Sequence, residues 1–295
     1  QARGLRPIRT AVVHPVDTVC LQGAVEAAKA QLIIPVLVGP EARIRAAAEL
    51  LKLDLSTCEI VSTEHSHASA AVAAALARDG KVEALMKGSL HTDEFMGAIV
   101  HEEKLRTGRR MSHVFVIDTP RYPRPLLVTD AAINIYPSLT EKRDIVQNAI
   151  ELAHALGNAS PRVAILSAIE IVTEKIHSTL DAAALCKMAD RGQITGGILD
   201  GPLAFDNAVS IEAARTKGIV SAVAGRADIF VVPDIEAGNM LAKQLEYLAD
   251  AEIAGIVLGA RVPVILTSRA DKTLARLASC AVALLLARHK AEALP

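Results

Sequence analysis

Short, solidly apolar runs separated by longer stretches of helical period constrain this chain more than any other feature. The runs at 10–13, 36–38, 84–86, 114–117, 126–128, 163–166, 198–199, 229–232 and 264–266 read as strands. They do not alternate apolar with polar, which is the pattern of parallel strands covered on both faces. Strands alternating with amphipathic segments predict a doubly wound α/β architecture. The clearest helix is expected over 139–156. Ser138 and Glu141 form a capping box ahead of it, and Ile145, Ala149, Leu152 and Leu156 share one face. Gly157 stops that helix and Pro161 prevents its continuation. A second amphipathic pattern covers 273–286.

Composition removes several classes of function. The 295 residues suffice for two domains, and 51% hydrophobic residues can fill large cores. A formal net charge of -1 provides no basic field for nucleic acid or an anionic membrane. Aromatic residues make up only 2%, so stacking platforms for single strands are not expected. Mean hydropathy is +0.32, yet the longest apolar runs fall well short of the ~20 residues that span a bilayer. No signal peptide is evident, because Arg3, Arg6 and Arg9 precede only a short apolar run. Cys20, Cys58, Cys186 and Cys280 are scattered without C-x-x-C spacing, which predicts reduced thiols in a cytoplasmic protein.

Ligands of open α/β sheets bind beyond the carboxyl ends of the strands. Lys87, Gly88 and Ser89 follow the run at 84–86, with His91 and Thr92 next. Thr129, Asp130 and Asn134 follow 126–128, and Ser167 follows 163–166. Asp200 and Asp206 follow 198–199, Asp234, Glu236 and Asn239 follow 229–232, and Thr267, Ser268, Arg269 and Asp271 follow 264–266. Ser, Asp and Asn favour turns and caps for local reasons, which accounts for Ser167 and part of the rest. Cations and hydroxyls at several strand ends, next to helix N-termini, are also the groups that hold a phosphate.

Other signatures are missing. The chain has no G-x-G-x-x-G fingerprint, no G-x-x-x-x-G-K-[ST] loop and no G-x-S-x-G elbow. His65, His67, His101, Glu102 and Glu103 lack the helical His pair of a zinc protease and read as solvated groups, so no metal site is expected. Arg106, Arg109 and Arg110 read either as a solvated segment or as a landing site for a polyphosphate or 3′-phosphate.

"KGSLHT" (87–92), "TDAAINIYP" (129–137), "DGPLAFDNAVS" (200–210), "VAGRADIFVVPDIEAGN" (223–239) and "GARVPVILTSRAD" (259–271) together resemble the phosphate acetyl/butyryltransferase family, over about 9–287. "LTSRAD" and "TDAAIN" look more like its butyryl branch. "MKGSLHTDEFM" and "AALCKMADRGQITGG" look most like the C-terminal half of bifunctional enoyl-CoA hydratase/phosphate acetyltransferases. The chain is therefore expected to be a standalone enzyme or the excised half of such a protein, whose hydratase-like partner domain would precede it.

The resemblance implies the reversible reaction of acyl-CoA with phosphate to give acyl phosphate and CoA. Acetyl or butyryl is the implied acyl group, transferred directly in an interdomain cleft. It implies no cofactor, since CoA and phosphate are substrates, and a homodimer. It also implies two α/β domains of the isocitrate/isopropylmalate dehydrogenase kind, here 1–140 with 262–295, and 141–261.

The family's Ser-Arg pair falls on Ser268 and Arg269, implied to hold the phosphoryl group. The acetyl branch keeps its proposed base six residues beyond that Arg, where this chain has Ala275. Asp271, placed as in the butyryl branch, is the implied base, with Asp206 in reserve. Lys87, Ser89, Thr92, Thr129, Asn134, Asp200, Asp206, Glu236 and Asn239 are the expected substrate-binding set. Arg106, Arg109 and Arg110 are expected at the CoA phosphates. Two alternatives remain: a metal- and NAD-dependent hydroxy-acid dehydrogenase of the same architecture, and an inactive CoA-binding module.

Overall fold

The first apolar run extends back to Ile8 and forms β1 (Ile8–Val13), fully buried from Thr10 onward. In this computed structural model, residues 1–56, 58–267 and 273–292 are described. The chain divides into two units, Gln1–Gly108 with Ala254–Pro295, and Arg109–Ile253.

In the first unit the chain continues through α1 (Thr18–Lys29), β2 (Ile33–Gly39), α2 (Glu41–Leu51), β3 (Glu59–Ser62), α3 (Ser66–Arg78), β4 (Ala84–Lys87) and α4 (Thr92–His101). Asp17 caps α1 by accepting from the Cys20 N–H at 2.8 Å, and the His65 ring caps α3 by accepting from the Ala68 N–H at 3.1 Å. Both caps satisfy orphan amides of a first turn. β1 pairs in parallel with β2 on one side and β4 on the other. The order β3-β2-β1-β4 therefore reverses direction between β1 and β4. α1 packs against α2 and α3 against α4, which covers both sheet faces.

The second unit contains β5 (Ser112–Asp118), β6 (Leu126–Thr129), α5 (Leu139–Ala155), β7 (Arg162–Leu166), α6 (His177–Asp190) and β8 (Ile198–Leu203). It continues with α7 (Phe205–Val209), α8 (Ile211–Thr216), β9 (Ile229–Val231) and α9 (Ile235–Leu248). Its order is β5-β6-β9-β7-β8, parallel throughout except for β5 against β6. Ile117, Val128, Ala164, Phe230 and Ala242 belong to one core cluster there. The capping box of α5 forms as the sequence predicts. A buried ion pair, Lys142 to Asp181 at 2.6 Å, ties α5 to α6.

β10 (Glu252–Leu258) enters the first unit at Ala254 and turns back into the two-residue β11 (Val264–Ile265), which runs parallel to β4. α10 (Thr273–Glu292) follows, packing on α1. The Ser279 hydroxyl on α10 accepts from the buried Gly255 N–H at 3.0 Å.

Several expectations differ from this fold. β3 and β10 were not among the expected strands. β3 is a half-exposed edge strand without a solid apolar run, and Gly255 interrupts the pattern of β10. The first unit ends at Gly108 rather than near 140, because β5 pairs with β6 and β6 with β9. Its return begins at Ala254 rather than 262, because β10 pairs with β11. Among the described residues no helix is long and apolar enough to cross a membrane.

Candidate active site

The reversal between β1 and β4 is where an open α/β sheet leaves a crevice at its carboxyl edge. Val13 stands opposite Lys87 in the ladder, so the two strands end level. Beyond them, the Gly88 N–H donates to the Val13 carbonyl at 2.9 Å and the Ser89 N–H to the His14 carbonyl at 3.0 Å. A Cβ on Gly88 would run into the Val13 oxygen and lie 3.0 Å from the His14 carbonyl carbon. The glycine therefore lets Lys87-Gly88-Ser89 lie across the end of β1.

Lys87 is only 5% exposed. Asp17 accepts from the Cys20 N–H, and the Ser89 hydroxyl is close enough to favour its charged form. Burial alone would raise its carboxyl, but these bonds outweigh burial and hold it below the ordinary value. Burial, with Asp17 beside it, pushes the Cys20 thiol up to about 11. Thr92 is exposed at the start of α4. Thr267 is buried beyond β11, and its hydroxyl accepts from the buried Arg276 guanidinium at 3.4 Å. The Arg276 stem crosses α1 at Gly23, where a Cβ would sit 2.8 Å from its Cδ. Ser268, Arg269 and Asp271 lie outside the described residues.

His14 and Asp17 did not enter the expected set. The signal for both lies just past the run at 10–13, where His14-Pro15-Val16-Asp17 puts an imidazole and a carboxylate at the end of a strand. His14 adopts φ 57°, a left-handed conformation that non-glycine residues seldom take. It is 5% exposed, and its Nδ1 lies 3.1 Å from the Ser69 hydroxyl. Burial, then the Arg43 charge, lowers its pKa from the ordinary 6.5.

In the second unit most expected residues serve the scaffold. Thr129 is fully buried and donates to the His113 carbonyl at 2.8 Å. Asn134 donates to Asp130 and to the Met111 carbonyl, and accepts from the Arg110 Nε at 2.8 Å. Asp130 gathers the N–H groups of Ala132, Ile133 and Asn134, although burial pushes its carboxyl up. Asn239 on α9 donates to the Ala131 carbonyl at 3.3 Å, so α9 meets the loop after β6, while Glu236 is exposed.

Asp200 lies within β8 and accepts from the Gly201 N–H. Asp206 caps the Asn207 N–H and lies 3.6 Å from Lys217, so the two aspartates serve different local contacts. The arginine run is divided. Arg106 bonds to the Val100 carbonyl in the first unit, whereas Arg109 pairs with Glu151 and Arg110 with Asn134 and Glu141 in the second. Among the described residues no cluster of His, Cys, Asp and Glu is placed to hold a metal. His65 is a helix cap, His67 pairs with Glu94, and His101 bonds to the Gly97 carbonyl.

The model of a family described as phosphate acetyl/butaryl transferase matches residues 67–284. A phosphate acetyltransferase of Rhizobium meliloti is 62% identical over 293 residues, 99% of this chain and 93% of that protein. A phosphate butyryltransferase of Clostridium acetobutylicum is 43% identical, covering 96% of this chain and 94% of that one. The crystal structure of a branched-chain phosphotransacylase from Enterococcus faecalis V583 superposes with a TM-score of 0.84 at 29% identity, covering 96% of this chain and 99% of that one. The chain belongs to the phosphate acetyl/butaryl transferase family and is an acyltransferase.

Proposed function

We propose that this chain transfers a short-chain acyl group directly between CoA and phosphate, reversibly, without a metal or redox cofactor. The observation that carries this reading is the pair of relatives, 62% and 43% identical, whose names share phosphate and differ in the acyl group. The higher identity favours acetyl as the preferred acyl group.

The chemistry of the carboxyl edge in the first unit supports it. Phosphate carries charge that a poorly solvated ammonium offsets better than an exposed one, and Lys87 is such a group. Ser89 adds a hydroxyl. By the resemblance, Ser268 and Arg269 complete the phosphate clamp, and a guanidinium can grip two phosphate oxygens at once. The carbonyl oxygen, which gains charge during transfer, needs a fixed donor in the same place. A homodimer in the cytoplasm belongs to the same proposal and rests on the family resemblance.

The test is thiol release from acetyl-, propionyl-, butyryl- and hexanoyl-CoA with added phosphate, on material sized beforehand. Expected are an active species near twice the 31.1 kDa chain mass, phosphate-dependent release, highest kcat/KM with acetyl-CoA, and no loss with EDTA. Absence of phosphate-dependent release from every acyl-CoA would refute the reading.

A further inference from the structure

We propose that His14 carries the proton exchanged with the CoA sulfur, its Nε2 acting as base toward the thiol and as acid toward the leaving thiolate. This rests on the acyl-transfer reading above. Three points converge on it: position, the hydrogen bonding of the ring and chemical need.

His14 is the first residue beyond β1, at the reversal between β1 and β4, with its backbone held by the loop that carries Lys87 and Ser89. The His14 N–H donates to the Val38 carbonyl at 2.7 Å and its carbonyl accepts from Ser89. The left-handed φ is thus fixed from both sides. Strain of this kind persists where surrounding structure enforces it and collects at functional sites.

The contacts around Ser69 accommodate one tautomer of the ring. Ser69 has one hydroxyl hydrogen, and it goes to the His65 carbonyl at 2.9 Å. Its oxygen can then accept twice, with the Thr63 hydroxyl at 2.8 Å and His14 Nδ1 at 3.1 Å. In that tautomer the Nδ1 hydrogen is committed, and the neutral ring presents a lone pair at Nε2. Nε2 bonds to none of the described residues, and it is not among the sealed side-chain atoms that lack a partner. An imidazole oriented through one nitrogen with the other unoccupied is the arrangement of a general base. Burial and Arg43 lower the pKa of the ring and so favour its neutral form.

The reaction requires such a group. Acyl-CoA and hydrogen phosphate yield an acyl phosphate dianion and CoA thiol, so the phosphate proton must end on sulfur. In the reverse direction, Nε2 takes the thiol proton and the thiolate attacks the carbonyl carbon. The carbon–oxygen bond to phosphate then breaks, and the proton passes to the departing phosphate. Asp271, the base that the resemblance implies, lies outside the described residues; Ala275 is buried and has no proton acceptor in its side chain, and Asp206 contacts Asn207 and Lys217.

The charged and titratable groups facing His14 are Arg43 on α2, Glu94 on α4 and His65 at the start of α3. The experiment compares His14→Asn, which tolerates the left-handed backbone, with Ser69→Ala, which keeps the ring and frees Nδ1. His14→Asn is expected to lose on the order of a hundredfold or more in kcat, with KM values little changed. It should also lose the acidic limb of the pH–rate profile, and added imidazole should restore part of the rate. Ser69→Ala should lose about tenfold in kcat, and it decides the matter if His14→Asn does not fold. Wild-type kcat in a folded His14→Asn, no gain with imidazole, or an unaffected Ser69→Ala would overturn the assignment. Lack of turnover by the unaltered enzyme would instead remove the underlying function.

Discussion

Gly88 shows what one missing methyl group does for this edge. Its backbone is not left-handed, so its requirement is space: an added Cβ meets the Val13 carbonyl oxygen, which is fixed in the β1 ladder and cannot swing away. Gly97, inside α4, has nothing within 4 Å of such a Cβ. Gly88→Ala is therefore expected to destabilise by about 2 kcal/mol through overpacking. Gly97→Ala should stabilise by up to about 1 kcal/mol through helix propensity. Urea unfolding of both variants checks this, and equal effects would mean that the crowding at Gly88 is relieved at no cost. The residue type at 88 was legible as part of "KGS", but its reason was not, because the clash partner is on β1, far away in the chain. The same holds for His14, whose tautomer depends on Ser69, 55 residues on. Asn134 was legible as polar and strand-terminal, but its commitment to Asp130, Met111 and Arg110 was not.

At the scale of elements, legibility followed locality. The capping box of α5 is contained within Ser138 to Glu141, so four residues of sequence identify the start of that helix. The Ser138 N–H and hydroxyl both bond to the Glu141 carboxylate, at 2.8 and 2.9 Å, and hold it below its ordinary pKa. Ser138→Ala removes the cap and is expected to cost about 1 kcal/mol, seen as a lower urea midpoint with an unchanged slope. An unchanged midpoint would mean that packing of α5, through Ile145, Ala149 and Leu152, determines its stability without the cap. β3 and β10 escaped the sequence for the opposite reason. A half-exposed edge strand and a glycine-broken run acquire their identity from pairing, β3 with β2 and β10 with β11.

At the scale of the whole chain, the α/β class was written in the apolar runs, whereas the bounds of the two units were not, because pairing partners set them. The thiols read out that division. Cys20 and Cys280 belong to the first unit and Cys186 to the second, and burial pushes their pKa values from 9.0 to about 11, 12 and 12 respectively. In each unit the folded state keeps a proton that the unfolded state releases as pH passes about 9. The unfolded form then binds fewer protons, so unfolding free energy falls with rising pH. The contribution of these thiols is complete below pH 9 and is lost progressively up to 11 or 12. Since the thiolate is the reactive form, alkylation of the native protein at pH 8.5 should be slow at all three cysteines and fast in urea. Site-resolved mass spectrometry across a urea series then gives the opening of each unit separately. Native alkylation of Cys186 at the unfolded rate would show that the packing of α6 against β8, where its Sγ faces the Gly201 carbonyl at 3.7 Å, does not hold in solution.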